Sequence, residues 1–547
     1  MLNDLNQSMS ALGEIEGVAI LAGKPVIGTK TMVVSPHYLA SAAGARILQR
    51  GGNAFDAAVA VSACLAVVYP HMTGLGGDAF WLTYKAEEGQ VHAYNGSGRS
   101  GCRVSRDSYT GETSIPKRGI RSAITVPGMV DSWDAVLKRC GRLTLAEVLE
   151  PAITYASEGF PMSPDQYNNT LIAKAALTEH PLSAAIYLPE GRIPEAGSRF
   201  VQHQLADTLR ELGTGGRDAF YKGAIAARIS DFMLKSGGLL TREDFREHTG
   251  EWVDPIYTDY CGHTIYQAPP NSQGFTALMS LNILENFNLA GIAHGSYEYY
   301  HLLVEALKLS FRDRDQVLTD PLFRDIPLQN LLSKSYASKL AASISLDEAA
   351  ELTSEPLGRD TAYAAVVDEE GNAVSFIQSL YFEFGSGVVA GDTGILLQNR
   401  GSFFSLDPRA VNTLEPRKRT FHTLMPAMAC KDGKPVILYG TQGGEGQPQT
   451  QTLLLTRMLH YGMNPQQAVD EPRFVWGRTW GEPTQELKLE SRVAKGVRQE
   501  LAEAGHLVRA VEAYDGIMGH AHVIAIDDNG FRLGGADPRC EGTAIGW

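Results

Sequence analysis

Residues 343–357 divide this sequence into two textures, and that division constrains the fold more than any other feature. The stretch carries Asp347, Glu348, Glu351 and Glu355 with few large apolar residues, the composition of an exposed linker. Before it the pattern is mainly helical. A strand at 32–36 leads into an Ala-rich helix at 39–50, closed by Gly51-Gly52, and Asn53 is placed to cap a second helix at 54–68. A glycine-dense turn, Thr73-Gly74-Leu75-Gly76-Gly77-Asp78, precedes a strand at 79–84, and 142–340 alternates helical patterns with loops. After the linker, strands dominate: 361–367 and 373–378 around the turn Asp368-Glu369-Glu370-Gly371-Asn372, then 435–441, 486–490 and 522–527. A helix at 448–461 opens with Pro448, a residue suited to a first turn. A helix-rich front therefore meets a strand-rich back across an acidic linker.

Composition narrows the function. The 547 residues carry a net charge of −14, 44% apolar residues and 56 glycines, which suits a compact enzyme with many tight turns. The acidic balance argues against nucleic-acid partners. The basic clusters Lys117-Arg118 with Arg121 and Arg417-Lys418-Arg419 are short enough to be solvated loops. Six cysteines are scattered without a CxxC pair, so neither a disulfide framework nor a zinc site is expected. Residues 1–24 lack a basic region followed by an apolar one, and the most apolar stretch, 57–69, is too short to span a bilayer. The expectation is a cytoplasmic protein with no cofactor and no metal.

The chemistry points to Gly358-Arg359-Asp360-Thr361-Ala362-Tyr363, where a hydroxyl residue opens a hairpin strand directly after the linker. An internal threonine is a poor nucleophile. If the bond before it breaks, Thr361 gains an α-amine with an ordinary pKa of about 7.7–8.0, a base on the same residue as the hydroxyl. Taken alone, Thr361 reads as a structural residue, as most threonines at a strand start are. No GxSxG elbow, HExxH motif or P-loop lysine offers a competing site, and His520-Ala521-His522 reads as packing. A scaffold that never matures is the alternative from another class.

Many motifs in one order resemble the gamma-glutamyltranspeptidase family of N-terminal-nucleophile hydrolases. They include Gly51-Gly52-Asn53-Ala54-Phe55-Asp56, Pro70 with Gly74-Leu75-Gly76-Gly77, Thr361-Ala362-Tyr363, Gly371-Asn372-Ala373-Val374 and Phe384-Gly385-Ser386-Gly387. Gly391-Asp392-Thr393-Gly394, Gly440-Thr441-Gln442-Gly443-Gly444 and Asp537-Pro538-Arg539 complete the set. The resemblance implies an α+β, four-layer αββα sandwich formed jointly by a large subunit, 1–360, and a small one, 361–547, cut from one precursor. It implies Thr361 as nucleophile, Ser379 as the hydroxyl beside it, Gly443 and Gly444 as oxyanion hole, and Arg99 as a grip on the substrate carboxylate.

Departures from the family pattern gather in the substrate pocket. The family's acidic residue for a substrate ammonium is missing from Asn399-Arg400-Gly401-Ser402-Phe403-Phe404, and Arg400 adds positive charge there. Tyr381 replaces an asparagine, and His422-Thr423 replaces a serine pair. The segment 404–419 is shorter than in members that carry a lid loop. Removing an anion and adding a cation favours a small anionic amide without an α-amine. Within the family, the sequence most resembles the oxamate amidohydrolases. A γ-glutamyl hydrolase or transpeptidase is the alternative, and the sequence leaves open whether water or an amine is the acceptor.

Overall fold

The computed structural model describes residues 23–351, 361–477 and 484–547. The acidic stretch is therefore described only to Glu351, and the bond expected to break, between Asp360 and Thr361, lies outside the described residues.

The strand Ala362–Val367 is buried along its whole length, which explains why it reads as an unbroken apolar run rather than an alternating one. Its two faces serve two cores. Tyr363, Ala365 and Val367 pack between two sheets, while Ala362, Ala364 and Val366 pack under helices. The sheet that contains it has seven antiparallel strands in the order Thr543–Gly546, Met32–Ser35, Ala362–Val367, Ala373–Ser379, Asp78–Lys85, Gln90–Gly96 and Glu251–Val253. A second antiparallel seven-stranded sheet lies against it. Its order is Val26–Gly28, Arg532–Ala536, Ala521–Ile526, Lys434–Thr441, Ala427–Lys431, His263–Gln267 and Ile256–Tyr260.

Helices Tyr38–Gln49 and Ala54–Val68 cover the outer face of the first sheet. Gly274–Leu284 and Gly446–Tyr461 cover the second. The layers run helix, sheet, sheet, helix, the αββα sandwich expected. Asn53 caps its helix as anticipated, accepting from Phe55 and Asp56 N–H at 3.0 and 3.1 Å while Asp56 accepts from Asn53 N–H. No helix among the described residues is long and apolar enough to cross a membrane.

Two expectations need correction. The stretch read as helices and loops supplies three strands to the two large sheets, Glu251–Val253, Ile256–Tyr260 and His263–Gln267. All are short and lie at or next to sheet edges, where the alternating signal is weakest. The later helix begins at Gly446 rather than Pro448, because Gly446 N–H already donates to Gly443 O at 2.7 Å.

Candidate active site

Thr361 sits immediately before its strand and is fully buried. The ladder pairs Ala362 with Gln378, so Thr361 and Ser379 close the same end of the hairpin. By strand period Thr361 shares the face of Tyr363, toward the second sheet. There Tyr363 packs on Gly440. A Cβ on that glycine would lie 2.3 Å from the ring, so no larger residue fits. Deeper along the strands Ala365 and Val367 share a core with Leu438. The ends carrying Thr361 and Gly443-Gly444 therefore open at the same edge of the sandwich. Thr361 Oγ1 meets no hydrogen-bond partner among the described residues. A buried hydroxyl without a partner calls for an explanation, and a reactive role is one.

Gly443 and Gly444 follow the strand Lys434–Thr441 with φ of 122° and 52°, conformations that only glycine adopts cheaply. Their carbonyls accept from Gly446 and Gln447 N–H, while their own N–H groups meet no backbone acceptor among the described residues. The turn is held from behind. Gln442 N–H donates to His520 O at 3.1 Å, and Gln273 Nε2 donates to Gly444 O at 3.1 Å and to Thr423 O at 3.0 Å. Gln273 Oε1 accepts from Arg314 Nη1 at 2.8 Å, and Arg314 Nη2 reaches Glu445 at 2.6 Å. Sequence reasoning missed Gln273 and Arg314. Neither belongs to a motif, and both act across more than 100 positions.

The pocket residues converge on the same place. Arg400 is fully buried in the short turn Arg400–Phe403. Its guanidinium lies over the rings of Tyr381 and Phe403, 4.5 and 5.2 Å from their centroids, and Nη2 donates to Ser379 Oγ at 3.4 Å. Among the described residues its Nε and Nη1 donors meet no acceptor. Burial lowers the Arg400 pKa to about 10, which leaves it charged at neutral pH. Tyr381 has φ of 90°, a strained value for a non-glycine residue, and its N–H donates to Ser379 Oγ at 2.7 Å. Phe382 N–H, which donates to Asn399 Oδ1 at 3.1 Å, helps to hold this loop.

His422 donates from Nε2 to Asp78 Oδ2 at 3.2 Å, a proton position set by Leu424 N–H approaching Nδ1 at 3.4 Å. Burial, and then Arg400, keep its pKa far below the ordinary histidine value, so the ring is neutral. Thr423 is fully buried and its Oγ1 has no partner among the described residues. Tyr381, Arg400, His422 and Thr423 thus gather around the end of the Thr361–Ser379 ladder.

Arg99 does not join them. Its guanidinium is committed to Asp320 at 2.8 Å and Glu251 at 3.1 Å, and it lines an open cavity of about 360 Å³ with Asp244, Glu247, Phe323 and Arg417. Arg99 Nη1 is thus shared between Asp320 Oδ2 and Arg417 O and its Nη2 is held by Glu251 Oε1, whereas Arg400 keeps two buried donors that meet no acceptor among the described residues. The arginine motif signal was real, but two carboxylates distant in sequence claim it.

Elsewhere, ligand atoms of His301, Glu305 and His506 all lie within 4.8 Å of one another. Lys308 Nζ already sits 2.7 Å from Glu305 Oε1, and His301 Nδ1 shares a proton with His506 Nε2 at 3.0 Å. A cation is thus built into that cluster by the chain itself.

Residues 40–547 match the family model described as Gamma-glutamyltranspeptidase. The chain is 64% identical over 523 residues to the glutathione hydrolase-like YwrD proenzyme of Bacillus subtilis, covering 96% of this chain and 99% of that one. It is 40% identical over 526 residues to the oxamate amidohydrolase proenzyme of Klebsiella pneumoniae, covering 95% and 99%. The crystal structure of cephalosporin acylase from Bacillus halodurans superposes with a TM-score of 0.90 at 36% identity, covering 98% of this chain and 99% of that chain. A buried hydroxyl at a strand start, a two-glycine turn facing the same edge and this likeness over nearly the whole chain lead to one assignment: the chain belongs to the gamma-glutamyltranspeptidase family and is an autoprocessed hydrolase.

Proposed function

We propose that Thr361 becomes the first residue of a small subunit, 361–547, and then hydrolyses the amide of a small carboxylate substrate, with oxamate to oxalate and ammonia the first candidate. The observation that carries this reading is Arg400, a buried cation beside the ladder end whose Nε and Nη1 meet no acceptor among the described residues. An unpaired buried charge is costly, so its natural complement is a ligand anion. The orphan Thr423 hydroxyl can donate to the same carboxylate.

Two stages follow. In maturation the Thr361 hydroxyl attacks the Asp360 carbonyl carbon. The C–N bond breaks as the amine is released, and water hydrolyses the ester left on Oγ1. In turnover the freed amine takes the hydroxyl proton, and Oγ1 attacks the substrate carbonyl. Gly443 and Gly444 N–H groups stabilise the oxyanion. The C–N bond breaks, ammonia leaves with the transferred proton, and water deacylates the enzyme to release the acid.

A γ-glutamyl hydrolase is the second reading, favoured by the name of the 64% identical relative. It requires a carboxylate for the substrate ammonium. In this pocket the nearby carboxylate, Asp78, is already committed to four donors, and Arg400 repels an ammonium. Ammonia release from oxamate and glutamine, with hydrolysis of γ-glutamyl-p-nitroanilide and glutaryl amides, separates the readings on the processed enzyme. Oxamate turnover supports the first reading. Cleavage of γ-glutamyl-p-nitroanilide with no ammonia from oxamate overturns it.

A further inference from the structure

Asp78 opens the strand Asp78–Lys85, behind a turn of four closely packed glycine and leucine positions. Gly77 there abuts Ser379 O so closely that a Cβ would lie 2.2 Å from it, which locks Asp78 opposite Ser379 in the ladder. The carboxyl is fully buried. Oδ1 accepts from Gly98 N–H at 3.1 Å, Gly128 N–H at 3.0 Å and Gln398 Nε2 at 3.1 Å, and Oδ2 accepts from His422 Nε2 at 3.2 Å. Four donors around one carboxylate make a socket for an anion. Arg400 lies close enough to act on it through space and reaches the same Ser379, yet it makes no direct pair with it. Among the described residues, the charged or titratable groups facing Asp78 are Arg400, from the turn Arg400–Phe403, and His422, from the segment after it. Gln398, Gly98 and Gly128 contribute only neutral donors, and Ser379 stands across the ladder.

We infer that Asp78 sets the charge of the Arg400 pocket: ionised, it balances Arg400, and protonated, it leaves that cation unopposed, so a substrate carboxylate binds together with a proton. The inference rests on the reading that Arg400 receives the substrate carboxylate. Burial supports it by pushing the Asp78 carboxyl up to about 7, against the pull of Arg400 and the surrounding donors, so the change of state falls near neutrality. A bound carboxylate adds a second negative charge and raises that value further. The sign follows: anion affinity strengthens as pH falls through neutrality and weakens as it rises.

The test is competitive inhibition of the processed enzyme by oxalate, from about pH 5.5 to about pH 8.5. In the unsubstituted enzyme the inhibition constant should rise about tenfold with pH, one unit of coupling between neighbouring charges. The Thr361 amine of the processed enzyme titrates in the same direction. Asp78→Asn keeps that amine, so the difference between the two enzymes isolates Asp78. Asp78→Asn should bind oxalate more tightly at high pH, with most of the pH dependence gone. The same pH dependence in both enzymes overturns the inference. Should Asp78→Asn fail to mature, Gln398→Leu leaves the carboxyl in place and removes one donor to its anion. The midpoint should then move upward by about one pH unit. An unmoved midpoint overturns the inference. Arg400→Met tests the underlying reading separately. If oxalate inhibits that variant as strongly as the parent, the carboxylate does not bind at Arg400. If Arg400→Met loses inhibition while Asp78→Asn behaves as the parent, only the role of Asp78 fails.

Discussion

Gln273 is the residue through which the pocket and the oxyanion turn are held in one geometry, and its replacement tests that coupling. One buried amide nitrogen ties Thr423 O and Gly444 O together, while the oxygen accepts from Arg314. Gln273→Leu leaves both carbonyls without this donor and removes one acceptor from Arg314. A buried polar group left unsatisfied costs about 1–3 kcal/mol, so two carbonyls and partial relaxation give a local loss of about 3 kcal/mol. The turn keeps its bonds from Gly446 and Gln447 N–H, so it drifts rather than collapses. Complete loss of one oxyanion donor costs about 10²–10³ in rate, and a displaced pair should cost about tenfold to a hundredfold in kcat.

Gln273→Glu sharpens the test. It keeps the size and the contact to Arg314 but cannot donate to either carbonyl. Both variants should mature to two bands on a denaturing gel and lower kcat for oxamate. KM should change less than kcat, because Arg400 and its aromatic neighbours are untouched and only Thr423 loses a support. The reasoning is refuted if both variants mature and keep kcat within about twofold of the parent.

Thr361→Ala should run as one band on a denaturing gel with no amidase activity, whereas Thr361→Ser should give some cleavage and some turnover; N-terminal sequencing of the small fragment checks the position. The two fragments of the mature parent should co-elute in native gel filtration and separate only in denaturant, because each seven-stranded sheet interleaves strands from both sides of residue 361. Separation under native conditions would falsify that shared-sheet argument.

Much of the architecture was legible because it is written in local periodicity. Helix Ala54–Val68 follows from an Ala- and Val-rich run behind a capping asparagine, and the hairpin around residues 368–372 follows from a polar turn between two largely apolar runs. The change of texture at the linker was also legible, yet the division it suggested, helical front against strand-rich back, does not describe the layers. The front supplies four of the seven strands in the sheet holding Thr361 and three of the seven in its partner. Strands such as Glu251–Val253 have only three residues, too few for a period to show.

The pocket divides along the same physical line. Arg400, Tyr381, His422 and Thr423 could be found because each stands beside a motif that fixes its place relative to the nucleophile strand. Arg99 stands beside a motif too, but it pairs with Asp320 and Glu251, partners that only the folded chain brings to it. Asp78 and Gln273 show the converse. The first closes a glycine-rich turn and the second stands in no motif, and neither has a local reason to matter. What gives them their roles is the number of buried groups each must satisfy at once: four donors on one carboxylate, two carbonyls and a guanidinium on one amide. A buried polar side chain that serves several distant backbone groups cannot be exchanged without orphaning all of them. The geometry around the nucleophile is therefore held by residues whose importance comes from topology, while the residues that face a ligand, Arg400 above all, are those left with donors to spare.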